Sequence, residues 1–449
     1  MVGFSGTRKW VYVQSVKGKF TTLRRWTFLF LHVVLFAIPW LHVGGHPALL
    51  FDLHSRQLFV LGAIYTASDT IFLLIILLFL AFCLFFVTSL YGRLWCGYAC
   101  PQTVFLEWWI RPLEKWIEGD RSTRLRRERA GMSFDFAWRK VTKWALFLVV
   151  AWVVSMAFMS YFAGARDLWT GRGGPVEYGI VGFFTIVWFL DFAWFREQFC
   201  SYLCPYARFQ GALTDADTVQ IAYLPDRGEP RGGKAAAKDG RCIDCSKCVV
   251  VCPAGIDIRD GFQLECVACA RCIDACTGVM DKLGHPTLVA YTSVAEMEHG
   301  RKPRLLRPRS MAYAALLAGL VITGTAMVVE RVPFEATINR APGSLYTVDN
   351  DGHVRNTYLL KVTNNDPSAT PVTFRVRVEG LANAELLVAP IVLQSSESRT
   401  TPLVIRVPST EGLDRTVPIR VYIASSGGEL VREATFKTGS EIGAAQEAR

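Results

Sequence analysis

The chain has 449 residues, 13 of them Cys, with 51% hydrophobic residues and a formal net charge of +10. That length has room for two to four domains. The basic residues gather beside apolar runs and no binding motif accompanies them, which excludes a nucleic-acid partner and leaves membrane topology and anionic lipid as the reasons for the charge.

The N-terminal tail is basic, with Arg8, Lys9, Lys17, Lys19, Arg24 and Arg25. Nothing before Arg24 has the form of a signal-peptide core, so no cleaved targeting segment is expected and the first span is read as an anchor. Apolar stretches near 24–43, 70–90, 141–163, 178–196 and 311–329 reach the roughly 20 residues that cross hydrocarbon. The run 57–67 is too short to cross and is placed at an interface. The 91–143 connection is dense in Arg, including Arg121, Arg124, Arg126, Arg127 and Arg129. By contrast, 44–69 carries only Arg56, and 164–177 only Arg166 and Arg172. The positive-inside rule then puts the N-terminus in the cytoplasm and the C-terminus outside.

Several residues within this membrane part draw attention. His32, inside the first span, is a candidate for ligating a haem or facing a quinone. His42, His46 and His54 gather near the outer surface as a candidate metal contact. Cys83 stands alone in an apolar run and reads as core or lipid-facing. The aromatic run 105–116 reads as an interfacial belt. Asp191, five residues before Arg196, reads as its charge partner.

The sequence CGYACP at 96–101 returns as CSYLCP at 200–205, both C-x-Y-x-C-P. Arg93 precedes the first and Arg196 the second; Phe105 and Phe209 follow at equal distance. Each copy follows a long apolar run, so the membrane part contains a repeated half-unit. Cysteines at i and i+4 are expected on one helical face, and a neighbouring Arg is expected to favour thiolate. Cys96, Cys100, Cys200 and Cys204 together supply four soft ligands. They suit a copper ion, an iron–sulfur cluster, or a cycling dithiol pair.

Residues 213–241 are rich in Gly, Pro and Lys and read as a flexible linker. Beyond them, 242–253 spells C-x2-C-x2-C-x3-C-P and 266–276 repeats the spacing without the proline. Two such runs are the signature of a bacterial ferredoxin holding two [4Fe–4S] clusters, the fourth ligand of each coming from the other run. Cys242, Cys245, Cys248 and Cys276 are assigned to one cluster, and Cys252, Cys266, Cys269 and Cys272 to the other. Thr277 stands where the second proline is missing, so the turn there is expected to differ. Zinc favours two separated pairs, and a cytoplasmic segment disfavours disulfides.

A basic flank, 301–309, leads into the last span. From about 331, short alternating segments rich in Val, Ile, Thr and Tyr predict an all-β sandwich. This tail has no Cys or Met and one His, His353, so no copper site of the His/Cys/Met kind is expected in it.

These motifs together resemble the CcoG, FixG or RdxA family of cytochrome c oxidase accessory proteins. The matching stretches are WCGYACPQTVF, CSYLCPYARFQ, RGEPRG, CIDCSKCVVVCPAGIDIRDG, ECVACARCIDAC and RNTYLLKVTNN. The resemblance implies a polytopic α-helical membrane protein of about five spans, with a bacterial-type two-cluster ferredoxin domain and a C-terminal immunoglobulin-like sandwich. It divides the chain into a membrane domain at 1–212, a linker and ferredoxin domain at 213–300, a last span at 301–330 and a periplasmic β domain at 331–449. It implies residence in the bacterial inner membrane and reduction of Cu(II) to Cu(I) for the copper centre of the cbb(3)-type oxidase. Cys96, Cys100, Cys200 and Cys204 would then be the cysteines tied to copper, which is substrate or transient ligand. Implied partners are membrane lipid, an unidentified electron donor, copper-handling proteins or oxidase subunits, and a second copy of the chain. Two rivals stay open: a quinol-oxidising electron-transfer subunit without copper chemistry, and a non-catalytic assembly scaffold.

Overall fold

The computed structural model describes residues 10–53, 55–66, 69–232, 241–366, 370–408 and 416–438. The readings placed on Arg8, Lys9, His54 and 233–240 fall outside these described residues. By contacts the chain divides into two compact units, Met1–Trp40 with Leu74–Ile322 and Leu41–Leu73 with Thr323–Arg449.

Among the described residues five helices are long and apolar enough to cross a membrane: Lys19–Trp40, Thr70–Tyr91, Phe134–Ala163, Pro175–Phe195 and Pro308–Val329. Several begin before the apolar run itself, because local capping starts them early. Ser133 Oγ accepts from Phe136 N at 3.2 Å, and Pro175 occupies the first turn of its helix, where its missing N–H costs nothing. The third helix buries Phe147, Ala151 and Val154 while leaving Leu148, Val149 and Trp152 exposed. Apolar residues on both faces, one packed and one bare, fit a helix between protein and lipid.

The stretch 105–116 is core more than belt. Phe105, Leu106 and Ile110 are buried, and Phe105 meets Trp188 and Phe192 edge-on at 5.3 and 6.4 Å. Trp116 is the member left largely exposed, at 78%. The segment Leu106–Ile110 is a π-helix, a local underwinding that redirects side chains and is frequent at functional sites.

The expected flexible linker is structured over its first half. Gln220–Tyr223 pairs antiparallel with Val289–Thr292, Thr218 Oγ1 donates to Ser89 O at 2.8 Å, and Val219 N donates to Leu90 O at 2.9 Å. Ile221 and Tyr223 enter the core of the cysteine region beside Ile256, Ile258 and Ile273. The short apolar run Ile221–Tyr223, buried throughout, outweighs the Gly and Pro signal downstream.

In the second unit, the short apolar run that begins at residue 57 forms strands at Gln57–Val60 and Ala63–Tyr65. Leu49–Asp52, Gln57–Val60 and Ala63–Tyr65 form a three-stranded antiparallel sheet. Leu61 and Gly62 both take positive φ, 49° and 89°, the tight hairpin turn whose twist matches the strands. Arg331 pairs with Asp69 at 2.7 Å, and Thr66 Oγ1 meets Glu335 Oε2 at 3.1 Å.

Beside a short pairing of His42–Val43 with His46–Pro47, this unit holds two larger antiparallel sheets. One runs Glu385–Val388, Ser398–Pro408, His353–Asn364, Phe334–Arg340; the other Ile391–Leu393, Val372–Glu379, Thr416–Ser425, Gly428–Lys437. Both feed one core, with Leu360 and Ile405 from the first and Ile423 and Phe436 from the second. The stretch 385–393, which reads as one segment, splits between the sheets around Pro390, a residue that cannot donate to a ladder. Buried Asn356 stitches the sheets together: its Nδ2 donates to Lys437 O at 2.8 Å and its Oδ1 accepts from Lys437 N at 2.9 Å.

Candidate metal centre

The two cysteine runs share an unusual backbone. In the first, Asp244 and Ser246 flank Cys245 with φ of 53° and 51°; in the second, Ala268 and Ala270 flank Cys269 with φ of 50° and 59°. None of the four is glycine, and each such residue costs about 1–3 kcal/mol unless its surroundings compensate. The repeat of this conformation at matching positions marks a purpose shared by both runs. Alternating handedness turns successive N–H groups to one side and makes an anion-binding concavity of the kind found around iron–sulfur centres. The residues therefore fit anionic [4Fe–4S] clusters.

The side chains sort into two groups. Cys242, Cys245, Cys248 and Cys276 line one small cavity with Ile243, Arg259 and Leu288, and Leu288 N donates to Cys276 Sγ at 3.4 Å. Cys252, Cys266, Cys269 and Cys272 act on one another electrostatically, and Cys248 of the first group also acts on Cys272. Burial pushes the thiols of Cys248 and Cys266 up to about 12 and that of Cys272 well above its ordinary value. Pro253 and Thr277 do produce different turns. The helix Lys247–Val250 stops before Cys252, whereas Arg271–Met280 runs on through Cys276 and Thr277.

The helix Arg271–Met280 is also tied to the first span. Asp274, between two of its cysteines, accepts from Phe20 N at 3.1 Å and Thr21 N at 2.7 Å. It supplies the N-terminal cap that Gly18 lacks, satisfying donors that a helix start leaves free.

The C-x-Y-x-C-P copies do not sit on uninterrupted helices. Cys96 lies within Leu94–Tyr98, and Cys100 caps the separate helix Pro101–Phe105. Cys200 lies in the π-helix Phe199–Leu203, and Cys204 caps Pro205–Leu213. Proline disfavours helical backbone in the residue before it, so Cys100 and Cys204 are extended, with ψ of 126° and 114°. The expected single helical face is thus replaced by a helix break at each second cysteine.

The break leaves the four thiols in one neighbourhood, but not converged on a single metal position. Cys96, Cys100 and Cys204 lie within electrostatic reach of one another, and Cys200 within reach of all three. Burial pushes Cys96 and Cys200 up to about 12, against the pull of Arg93. Cys100 is raised by burial, while the backbone N–H groups of Gln102 and Thr103 act the other way. The thiolate expected from flanking arginines does not follow, because desolvation outweighs one guanidinium.

The two arginines also part company. Arg93 faces the thiols and donates from Nη1 to Leu264 O, a carbonyl that Gln210 Nε2 also approaches at 3.4 Å. Arg196, with φ of 53°, turns instead to Glu114, with Nη1–Oε1 2.6 Å and Nη2–Oε2 3.1 Å. Burial opposes ionisation of Glu114, but Arg196 and Arg124 outweigh it and hold the carboxyl down to about 2. Asp191 is consequently not the partner of Arg196. Its Oδ1 accepts from Gln102 Nε2 at 3.0 Å, and the same amide reaches Arg196 O at 2.9 Å.

The first copy of the motif abuts the second cysteine run. A Cβ on Gly97 would stand 2.6 Å from Val267 O and 2.9 Å from Ala268 O, so only glycine permits the approach. Arg24 Nε donates to Gly97 O at 2.9 Å. Tyr98 meets Tyr291, whose hydroxyl donates to Ala268 O at 3.4 Å. The second copy lacks this docking: Tyr202 is 51% exposed and Phe209 66%, against 6% for Phe105. Cys200 shares a small cavity with Pro253, Ala254 and Val267. The glycine and tyrosine inside the motif carried this signal in the sequence, as did the glutamine after Cys100-Pro101. Asp274 gave none.

His32 and His46 are held by contacts within the protein. His32 Nδ1 lies 2.7 Å from Phe28 O, and its Nε2 accepts from Trp109 Nε1 at 2.8 Å. Both ring nitrogens are engaged, which leaves none for a haem. His46 stacks on Phe59 at 5.4 Å. Among the described residues no three His, Cys, Asp or Glu side chains converge to hold a single metal ion.

Comparison with known proteins follows the same division. A family described as "4Fe-4S dicluster domain" matches residues 195–294, one described as "4Fe-4S binding domain" matches 72–122, and one described as "IG-like fold at C-terminal of FixG" matches 324–438. Membrane-length helices joined to iron–sulfur modules define a redox protein of the inner-membrane iron–sulfur class. Protein RdxB of Cereibacter sphaeroides is 36% identical, spanning 95% of this chain and 91% of that protein. Protein RdxA of the same organism is 34% identical over 83% of this chain and 82% of its own length. Nitrogen fixation protein FixG of Rhizobium meliloti is 33% identical over 94% of this chain and 88% of its own. The chain belongs to this RdxA, RdxB and FixG family.

Proposed function

We propose that the protein reduces Cu(II) to Cu(I) for assembly of the copper centre of a cbb(3)-type cytochrome oxidase. In this reading the N-terminus and cysteine runs are cytoplasmic, and the C-terminal two-sheet unit is a periplasmic immunoglobulin-like sandwich that meets copper-handling proteins or oxidase subunits. Two bound [4Fe–4S] clusters supply carriage of single electrons from a donor outside the chain.

The chain's own residues define the remainder. Cys242, Cys245, Cys248 and Cys276 hold the outer cluster, with Cys245 exposed. Cys252, Cys266, Cys269 and Cys272 hold the inner one. Cys96, Cys100, Cys200 and Cys204 bind the copper ion; one electron converts Cu(II) to Cu(I), and soft sulfur ligands favour that product. The raised thiols meet copper protonated, so ligation releases protons. Arg93 offsets the negative charge that gathers as they ionise.

The observation that carries this reading is the approach of Gly97 to Val267 and Ala268, which sets Cys96 beside the peptides between Cys266 and Cys269. Replacing Cys96 and Cys200 by Ala tests it. Cupric reduction should be abolished while the electron paramagnetic resonance of both clusters persists; reduction that survives rules the site out.

A second reading rests on the match of 72–122 to a 4Fe-4S binding domain, a range that holds Cys96 and Cys100. The four thiols would then hold a third cluster. About twelve iron atoms per chain, instead of about eight, would establish it.

A further inference from the structure

A cavity of about 480 Å³ opens at the basic end of the first span, within the size range of ligand sites. Its lining is of two kinds. Phe28, Trp108 and Pro112 form an apolar part, and Arg24, Arg25 and Arg121 belong to a cationic part. The acids around it are already engaged. Glu107 is paired by Arg111 and by Arg271 at 2.6 Å; Glu114 is paired by Arg196 and Arg124; Asp120 is 3.2 Å from Lys115.

The cations are less fully matched. Arg24 is 2% exposed; it donates from Nε to a backbone carbonyl, and its Nη2 has no partner among the described residues. Arg121 donates from Nε to Tyr12 O at 2.9 Å. Neither forms an ion pair among the described residues, nor does Arg25. Buried Arg24 shares Glu107 with Arg111 and Arg271, so positive charge exceeds negative around that carboxylate and the cavity suits an anion. A quinol suits it poorly, because no acid in the lining is free to take a proton.

We propose that this cavity binds an anionic phospholipid. The phosphodiester sits among Arg24, Arg25 and Arg121, where guanidinium forks suit phosphate oxygens. The acyl chains lie against Phe28 and Trp108. The apolar part of the lining distinguishes such a ligand from free phosphate, which needs none.

The test uses the full chain with its clusters, exchanged into mixed phosphatidylglycerol and phosphatidylcholine and examined by native mass spectrometry. Retained phosphatidylglycerol should exceed phosphatidylcholine by about tenfold, the value of one charge-assisted hydrogen-bond set. The Arg25→Gln, Arg121→Gln double variant should lose that preference while keeping its cluster absorbance. Trp108→Ala, which leaves the charges intact, should weaken retention of both lipids. Equal retention of the two lipids by the wild type, or an unchanged preference in the double variant, overturns the proposal. So does full displacement of phosphatidylglycerol by inorganic phosphate, which would assign the site to a soluble anion.

Discussion

Arg196 shows how a buried charge is organised. Its positive φ and its two hydrogen bonds to Glu114 belong together, since the ion pair offsets the backbone cost. Glu114→Ala would leave the guanidinium buried without its main counter-charge and should cost about 3–5 kcal/mol, readable as a lower denaturation midpoint. The same pair has a pH signature. The Glu114 carboxyl is lowered from 4.5 to about 2, so the unfolded chain binds the extra proton. Its stabilisation is present above about pH 4.5 and lost as pH falls toward 2. Glu114→Gln should flatten stability across that window; an unchanged acid profile would count against the pairing. Gly97→Ala is a local test of another kind. A methyl group 2.6 Å from a peptide oxygen should displace the 267–268 peptides and shift the resonance of the adjacent cluster without removing it. An unaltered spectrum would mean that this contact does not position the cluster.

At the level of elements, the cysteine spacing and the apolar runs were legible because both depend on local sequence. The repeated C-x-Y-x-C-P was legible as a repeat, but its helical face was not. Pro101 and Pro205 already carried the signal, since proline extends the residue before it. The π-helices at 106–110, 191–195 and 199–203 had no sequence mark. The Arg196–Glu114 pair was hidden for a different reason: its partners are 82 positions apart, and Asp191 stood nearer in the chain. Asp274 capping the first span is equally non-local, at 253 positions from Thr21. Within the β unit, the alternation predicted the strands but not which sheet each joins. Asn356 is the joint there. Asn356→Leu would leave Lys437 N–H and C=O without their partners and should destabilise that unit by about 1–3 kcal/mol per group. Thermal melting should show the loss; an unchanged transition would mean that the stitch is redundant.

For the whole molecule, the repeat has diverged in use. The first copy docks the inner cysteine run through Gly97, Tyr98 and Arg93, while the second contributes Cys200 and Cys204 and sends its arginine to Glu114. In the proposed reading that asymmetry sets a direction for electrons, from the exposed Cys245 toward Cys96. It also separates the reductase from a scaffold. A chain lacking 335–449 should keep its iron content and its cupric reduction in vitro, and loss of that reduction with the iron retained would favour the scaffold. The central claim is that electrons leave the clusters through the four motif thiols to copper. The most direct measurement mixes the anaerobic, pre-reduced protein with Cu(II) and follows cluster absorbance and Cu(I) together. The account predicts cluster reoxidation matched one for one by Cu(I), and abolished by Cys96→Ala or Cys200→Ala. Clusters that stay reduced beside unreacted Cu(II), or reoxidation that is indifferent to those substitutions, would contradict it.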